Sequence, residues 1–182
     1  MKGIHLINFM GAPGAGKTTL AQKLAQQEGI YFFQREIVLD TIFGDERDTD
    51  RYNAIAGHIT KSTFELGMYN ARMGVSSIVE APMKPAIQGK KAGFIDNALE
   101  AGIRDGFNVS LIYCIAPAEV LWDHLHQRGS PRNKKEYTDD GWRWYQETFV
   151  DVPGPTQYEH LRLDTSCSVA ENLGKVLKYL DR

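Results

Sequence analysis

A Walker A phosphate loop near the N-terminus constrains the fold of this chain more than any other segment. The motif G-x-x-x-x-G-K-[ST] is complete and consists of Gly11, Ala12, Pro13, Gly14, Ala15, Gly16, Lys17 and Thr18. The apolar residues 4–9 predict a buried strand that leads into this loop. The pattern from Thr18 onward predicts a helix that ends at Gly29. This is the context in which the motif binds a nucleotide, and a glycine-rich turn without a ligand is the alternative.

The residue types of the motif explain how it can hold a triphosphate. Glycines allow successive backbone N–H groups to turn inward around an anion, and the N-terminus of the following helix adds partial positive charge. We expect Lys17 to reach the β- and γ-phosphates and the hydroxyl group of Thr18 to bind Mg²⁺. The motif residues and Thr19 are therefore the predicted nucleotide-binding residues, with ATP and Mg²⁺ as the cofactors.

Length, charge and cysteine content restrict the class of protein. A chain of 182 residues is most simply one domain, which we predict to span residues 1–182. The net charge of −2 provides no strong field for nucleic acid or an anionic membrane. No apolar run is long enough to span a bilayer, and the N-terminal residues are predicted to enter the first strand directly rather than form a signal peptide. Because Cys114 and Cys167 do not indicate a disulfide scaffold, we expect a reduced, cytoplasmic protein.

Strand and helix patterns alternate along the rest of the chain, which predicts an α/β fold with three layers and about five parallel strands. Further strands are predicted at 30–34, 75–80, 109–115 and 160–164. Helices are predicted over 52–73 and 89–101, and after Pro117, Thr138 and Ser168. In the long helix the predicted buried stripe consists of Tyr52, Ile55, Ile59, Leu66, Tyr69 and Met73.

Two acidic residues are predicted to stand at the carboxyl edge of the sheet, where ligands collect in open parallel sheets. Glu36 follows the second strand and Glu80 ends the third. A carboxylate there can accept the proton of an acceptor hydroxyl group and aim its oxygen at the γ-phosphorus, and Glu36 is our first choice for this base. Glu80 is predicted to bind Mg²⁺ through water, to orient the substrate hydroxyl or to act as the base itself. Asp40 is a weaker candidate whose expected position is a helix start.

Residues 128–138 form a basic segment with no apolar face, which predicts an exposed lid. Guanidinium groups stabilise the negative charge that develops on phosphoryl oxygens during transfer. Arg128 and Arg132 are spaced to close over a nucleotide from one loop. We therefore predict that both act in catalysis and that Arg128 also binds the nucleotide. An ordinary charged surface turn is the alternative for this segment.

The order of these segments resembles that of the P-loop kinases over nearly the whole chain. A phosphate loop, a short strand with an acid, a long helix, a strand ending in an acid, an arginine-rich lid and a strand ending in Asp164-Thr165-Ser166 follow one another. Within that class the chain is similar to the group of polynucleotide 5′-hydroxyl kinases, zeta-toxin-like kinases and small-alcohol phosphotransferases, which have an AAA-domain-type ATP-binding domain. The resemblance implies a nucleoside-monophosphate-kinase-like fold and places Thr165 beside the base of the nucleotide.

Three positions depart from the pattern of these relatives. Leu39 stands where the relatives carry an arginine three residues after the first acid, and this disfavours a polynucleotide substrate. Glu80 replaces the aspartate that ends the third strand, so the side chain is longer. Asn133 replaces the aspartate that follows the second arginine of the lid.

The resulting hypothesis is an ATP- and Mg²⁺-dependent kinase that phosphorylates a hydroxyl group of a small molecule. A polynucleotide 5′-hydroxyl kinase and a regulatory ATPase without a phosphoryl acceptor are the alternatives. The near-neutral charge disfavours the first. The second is disfavoured by the arginines within the chain's own lid and by residues 133–136, which approach the guanine-reading Asn-Lys-x-Asp but end in glutamate. The sequence identifies neither the acceptor nor the oligomeric state, and it predicts no membrane partner.

Overall fold

A sheet of five parallel strands in the order β2-β3-β1-β4-β5 forms the centre of the fold. We describe the protein from a computed structural model that covers residues 2–44, 46, 49–127 and 138–181. The strands are β1 (His5–Gly11), β2 (Tyr31–Phe33), β3 (Ser77–Glu80), β4 (Asn108–Ile115) and β5 (Leu161–Asp164). Because β1 lies in the middle, the phosphate loop leaves the carboxyl end of the central strand, where ligands bind in sheets of this kind.

Helices connect the strands and form the two outer layers. Helix α1 packs with α8, and α3 packs with α5. The arrangement confirms the predicted α/β fold with three layers and about five parallel strands. The helical segments are α1 (Lys17–Glu28), α2 (Arg35–Phe43), α3 (Asp50–Arg72), α4 (Lys84–Ile87), α5 (Gly93–Asp105), α6 (Ala118–Gln127), α7 (Asp139–Tyr145), a π-helical turn (Gln146–Val150) and α8 (Val169–Leu180).

The central strand β1 is buried along its whole length. It pairs with β3 on one side and with β4 on the other, so both rows of its backbone hydrogen-bonding groups are occupied. The apolar residues Leu6, Ile7, Phe9 and Met10 have no exposed surface. A strand fixed by two neighbours and by packing on both faces provides a rigid support for the loop that follows it.

Helix α3 confirms the predicted helix, but the predicted buried stripe was wrong. Leu66, Tyr69 and Met73 are 49%, 59% and 66% exposed. The helix approaches the sheet at Gly67, where a Cβ atom would lie 2.5 Å from Cδ1 of Leu6. Because the helix lies so close to the sheet, its buried face contains small and polar residues as well as large apolar ones. This face consists of Thr60, Thr63, Phe64, Gly67, Met68 and Ala71.

The predicted helix starts after Thr138 and Ser168 are confirmed by their caps. The hydroxyl oxygen of Thr138 accepts from the backbone N–H of Gly141 at 3.1 Å, and that of Ser168 accepts from Glu171 at 3.2 Å. Several boundaries differ from the prediction by one to four residues; for example, β3 begins at residue 77 instead of 75, and α5 covers 93–105 instead of 89–101. No helix in the described ranges is both long and apolar enough to cross a membrane.

Two helical glycines give a matched test of how tightly the layers pack. A Cβ atom at Gly102 in α5 would lie 2.7 Å from the backbone oxygen of Phe107, whereas one at Gly57 in α3 would have nothing within 4 Å. We expect Gly102→Ala to lower the free energy of unfolding by about 1–3 kcal/mol because the backbone must shift. Gly57→Ala is expected to raise it by about 0.5–1 kcal/mol because alanine favours the helix. Chemical denaturation measures both, and equal effects of the two substitutions would contradict this description of the packing.

Candidate functional site

The phosphate loop joins the end of β1 to the start of α1 through three glycines with positive φ. Gly11, Gly14 and Gly16 have φ angles of 137°, 87° and 67°, a conformation that residues with a side chain rarely adopt. A Cβ atom at Gly11 would lie 2.1 Å from the backbone oxygen of Cys114, so the loop begins in direct contact with β4. Gly16 is the N-cap of α1. The first N–H groups of α1 have no acceptor within the helix, and they are available to an anion.

Lys17 begins α1, and its ammonium group lies across the loop. Its Nζ atom donates to the backbone oxygen of Ala12 at 2.7 Å, and the residue is 6% exposed. The same oxygen accepts from the backbone N–H of Ala15 at 3.1 Å. A buried ammonium group requires acceptors, and charged phosphate oxygens are stronger acceptors than a neutral carbonyl oxygen. The side chain can therefore exchange Ala12 for a phosphate without leaving the loop.

The hydroxyl group of Thr18, the residue after Lys17, meets the carboxylate of Glu80. Oγ1 of Thr18 donates to the carboxylate and lies 2.9 Å from both Oε1 and Oε2. Glu80 is the last residue of β3 and is 7% exposed. The structure thus brings together Thr18 and Glu80, which are 62 residues apart in the sequence.

The oxygen atoms of Thr18 and Glu80 suit a hard divalent cation, because Mg²⁺ prefers oxygen ligands. In the described part of the chain, no group of three or more histidine, cysteine, aspartate or glutamate residues forms a complete metal site. Mg²⁺ at nucleotide sites commonly has one or two protein ligands and takes the others from water and phosphate. A hydroxyl group and one carboxylate at the end of a phosphate loop fit this pattern.

Cys114 lies under the loop in β4, and its environment makes the thiol chemically inert. The residue has no exposed surface. Burial raises the pKa of the Cys114 thiol to about 12; the charge on Lys17 lowers this pKa and the charge on Glu80 raises it, both to a smaller extent. Since the thiolate is the reactive form, the thiol has a packing role next to Gly11.

Glu36 lies in the first turn of α2 and forms an ion pair with the residue before it. Its Oε1 atom is 3.1 Å from Nη2 and 3.2 Å from Nε of Arg35. Nη1 of Arg35 also donates to Oγ1 of Thr60 in α3 at 3.0 Å. The side chain of Glu36 is 20% exposed and that of Arg35 is 11% exposed. Arg35 is a candidate site residue that the sequence analysis missed, and the adjacent Arg-Glu pair was the only signal for it.

The structure corrects the interpretation of two other positions in α2. The helix starts at Arg35, so Asp40 lies well inside it and is not a residue of a helix start. Leu39, which stands where the relatives carry an arginine, has no exposed surface and belongs to the core. A charged side chain at position 39 would be buried in the same apolar environment, where it requires a partner.

Thr165 follows β5 and lies against the start of α1. Its N–H and its hydroxyl group both donate to the backbone oxygen of Ile115, at 2.8 and 2.9 Å. The Cβ atom of Thr165 is 3.4 Å from the position of a Cβ atom on Gly16. Hydrogen bonds from Ser166 hold the pKa of the neighbouring Asp164 below its usual value. The turn therefore has a fixed shape beside the loop.

The remaining predicted residues differ in how the structure places them. Thr19 lies exposed in the first turn of α1, next to Thr18. Arg128, Arg132 and the rest of the predicted lid up to residue 137 lie outside the described residues, and their roles stay predictions.

Two further side chains contact the loop from outside, and no pattern in the sequence predicts either contact. Nδ1 of His124 in α6 lies 3.0 Å from the backbone oxygen of Gly14. The hydroxyl group of Tyr145, at the end of α7, donates to the backbone oxygen of Pro13. The sequence had indicated only that Tyr145 packs in the core.

The sequence also matches a known protein family, and the matched range includes the phosphate loop. Residues 6–152 match the family described as AAA domain. The chain belongs to this family. A search of the curated proteins finds no match.

Solved structures of kinases have the same fold. A protein described as a proposed kinase, from Chloroflexus aurantiacus j-10-fl, is 19% identical with a TM-score of 0.72, and the match covers 100% of this chain and 98% of that one. Shikimate kinase from Acinetobacter baumannii is 14% identical with a TM-score of 0.67, covering 98% and 93%. A gluconokinase from Sinorhizobium meliloti 1021 is 17% identical with a TM-score of 0.62, covering 100% and 94%. At these identities the likeness establishes the fold.

The two cysteines of the chain differ in burial, and this predicts selective labelling. Cys167 is partly exposed, whereas Cys114 is buried with a raised pKa. We expect a maleimide reagent to modify one thiol per native chain, at Cys167, and both thiols after denaturation. Mass spectrometry of proteolytic peptides measures the two sites. Rapid labelling of Cys114 in the native protein would contradict the described contact between β1 and β4.

Proposed function

We propose that this protein is an ATP- and Mg²⁺-dependent kinase that transfers the γ-phosphoryl group to a hydroxyl group of a small molecule. The observation that carries the proposal is the contact of Glu80 with Thr18, the residue that follows the buried Lys17 of the phosphate loop. The proposal is supported by solved proteins with this fold, whose names are sugar kinase, gluconokinase and shikimate kinase.

On the donor side, the chain's own groups would neutralise and orient the triphosphate. The N–H groups at the start of α1 bind phosphate oxygens, and Lys17 moves from the oxygen of Ala12 to the β- and γ-phosphates. Thr18 and Glu80 would hold Mg²⁺, which supplies charge neutralisation between the β- and γ-phosphates when it is bound. Most of the lowering of the barrier in such reactions comes from positioning and electrostatics.

On the acceptor side, one carboxylate would receive the proton of the substrate hydroxyl group. A bond forms between the hydroxyl oxygen and the γ-phosphorus, the bond to the bridging oxygen breaks, and ADP leaves. Glu80 already accepts from Thr18, which suits a role at the metal. Glu36 is held by Arg35 at the start of α2, and its side chain is partly exposed, which suits a contact with a substrate. We therefore assign the base to Glu36 and the metal role to Glu80.

Phosphoryl transfer from [γ-³²P]ATP to a panel of sugars, sugar acids, nucleosides, aminoglycosides and oligonucleotides tests the proposal directly. We expect one class of small alcohols to be labelled and Lys17→Ala to abolish the labelling, because the phosphates lose their ammonium partner. Lys23→Ala is the matched control, since Lys23 is exposed on the same helix. Nucleotide hydrolysis with no labelled acceptor would favour a regulatory ATPase, and labelling of oligonucleotides alone would favour a polynucleotide kinase.

Separate substitutions of the two carboxylates test their assigned roles. We expect Glu36→Gln to lower kcat by about 10²–10⁴-fold with little change in ATP affinity, because only proton acceptance is lost. Glu80→Gln is expected to raise the Mg²⁺ concentration that gives half-maximal activity, because a charged ligand is lost. Steady-state kinetics over a range of Mg²⁺ concentrations measures both effects. Near-normal turnover of Glu36→Gln would transfer the role of the base to Glu80.

A further inference from the structure

Two side chains outside the phosphate-binding surface contact consecutive carbonyl groups of the loop. His124 lies 3.0 Å from the oxygen of Gly14, and Tyr145 donates to the oxygen of Pro13. They come from different helices, and they are 110 and 132 residues away from their partners in sequence. Neither side chain has a part in the proposed transfer, so their contacts with the loop require another explanation.

Both side chains act as hydrogen-bond donors. A carbonyl oxygen can only accept, so the proton at His124 must be on Nδ1, and the neutral Nδ1–H tautomer and the imidazolium form both satisfy this requirement. The ring of Tyr145 has no exposed surface and stacks on Trp142 with the centroids 5.0 Å apart and the planes at 11°. The hydroxyl group of Tyr145 is therefore held in place by packing.

The geometry of the peptide bond converts these contacts into control of the N–H groups. In a trans peptide unit the C=O and the following N–H point in opposite directions. When Tyr145 holds the C=O of Pro13 on the outside of the loop, the N–H of Gly14 points to the inside. When His124 holds the C=O of Gly14, the N–H of Ala15 turns inward, where it donates to Ala12 at 3.1 Å.

The contact of His124 also reaches the position of Lys17 through this network. The oxygen of Ala12 accepts from both the N–H of Ala15 and Nζ of Lys17. The peptide unit that His124 fixes at one end therefore supports, at its other end, the acceptor on which the ammonium group rests.

Gly14 is the residue at which such support has the greatest effect. It has a φ of 87° and no side chain, so it loses more conformational freedom on ordering than any other residue type. A Cβ atom at this position would lie 3.4 Å from both the backbone oxygen of Leu121 and Cγ of Leu125, so α6 packs directly against it. External contacts on both sides of Gly14 order the loop before a ligand arrives.

We propose that His124 and Tyr145 are positioning residues that hold the two peptide units after Pro13 in the orientation that a triphosphate requires. The inference rests on the proposed function and deepens it. These residues set the affinity of the loop for the nucleotide and leave the transfer step itself to Lys17, Glu36 and Glu80. They act through backbone carbonyl groups, so they are distinct from the residues that touch the reacting atoms.

Isothermal titration with Mg²⁺-bound AMPPNP, a non-hydrolysable analogue of ATP, tests this role. We expect Tyr145→Phe and His124→Leu each to raise Kd about three- to tenfold, which corresponds to the loss of one hydrogen bond. His124→Asn is expected to restore most of the affinity, because the asparagine side chain can present an N–H donor near the position of Nδ1. In turnover assays of Tyr145→Phe and His124→Leu, the KM for ATP should rise and kcat should stay within about twofold of the wild-type value. The substitutions would loosen the loop only before the nucleotide binds, because the bound nucleotide orders it again.

Tyr158→Phe is the matched control for the loss of a hydrogen-bonded tyrosine hydroxyl group. Tyr158 accepts from the N–H of Ala92 at 2.7 Å and donates to Asp96 at 2.9 Å, and neither partner belongs to the phosphate loop. This variant is expected to lose stability and to keep the wild-type Kd. Equal changes of Kd in Tyr158→Phe and Tyr145→Phe would overturn the proposal, because the effect would then follow from general destabilisation.

Further outcomes separate this inference from the proposed function. Wild-type affinity in Tyr145→Phe and His124→Leu overturns the inference alone, and so does a fall in kcat with an unchanged KM. If Tyr145→Phe does not fold, the Kd values of His124→Leu and His124→Asn decide. A lower Kd in His124→Asn supports the inference, and equal values overturn it. If the wild-type protein does not bind the analogue, the proposed function fails. Hydrogen exchange of the backbone N–H groups of residues 11–19 without nucleotide then tests the two contacts directly. We expect faster exchange in His124→Leu than in the wild type, and an unchanged rate would overturn the inference.

Discussion

The hydrogen bonds that hold the backbone carbonyl groups of the phosphate loop are the interactions on which the rest of the site depends. In each peptide unit the C=O and the N–H point in opposite directions, so an N–H that faces an anion leaves its C=O facing away from the site. The loop can therefore bind an anion only if these carbonyl oxygens accept hydrogen bonds from groups outside the loop's inner surface. Lys17, His124 and Tyr145 donate to three successive carbonyl groups, those of Ala12, Gly14 and Pro13. The site is thus built by side chains from α1, α6 and α7 around a backbone that has little conformational preference of its own.

The sequence was sufficient to predict the five strands and most of the helices, although not α2 and α4, and it did not predict all of the faces that they bury. The caps at Thr138 and Ser168 depend on residues three positions apart, so a local pattern predicts them. The prediction of the buried face of α3 was wrong because the real face contains Thr60, Thr63 and Gly67. These residues are not strongly apolar, so a search for a hydrophobic stripe does not find them. Their selection depends on the distance of the helix from the sheet, and this distance is a property of the assembled core.

The candidate site divides in the same way. The meeting of Thr18 with Glu80 could be predicted, because a phosphate loop and a strand-ending acid both lie at the carboxyl edge of a parallel sheet. The contacts of His124 and Tyr145 could not be predicted, because their partners are backbone oxygens. Every residue has such an oxygen, so the sequence contains no pattern that marks the partner. Arg35 was missed for a related reason, since the family pattern directs attention to position 39, where the buried Leu39 stands.

Gly11 shows that the residues of one motif can be required for different reasons. Its missing side chain leaves room for the backbone oxygen of Cys114, so the first glycine is a condition for closing β1 against β4. The role proposed for Lys17 is instead to bind the phosphates of the ligand. A descendant that had stopped using nucleotides would be free to replace the lysine while selection for folding preserved the glycine. Loss of function in such a lineage should therefore be sought at position 17 and not at the start of the motif.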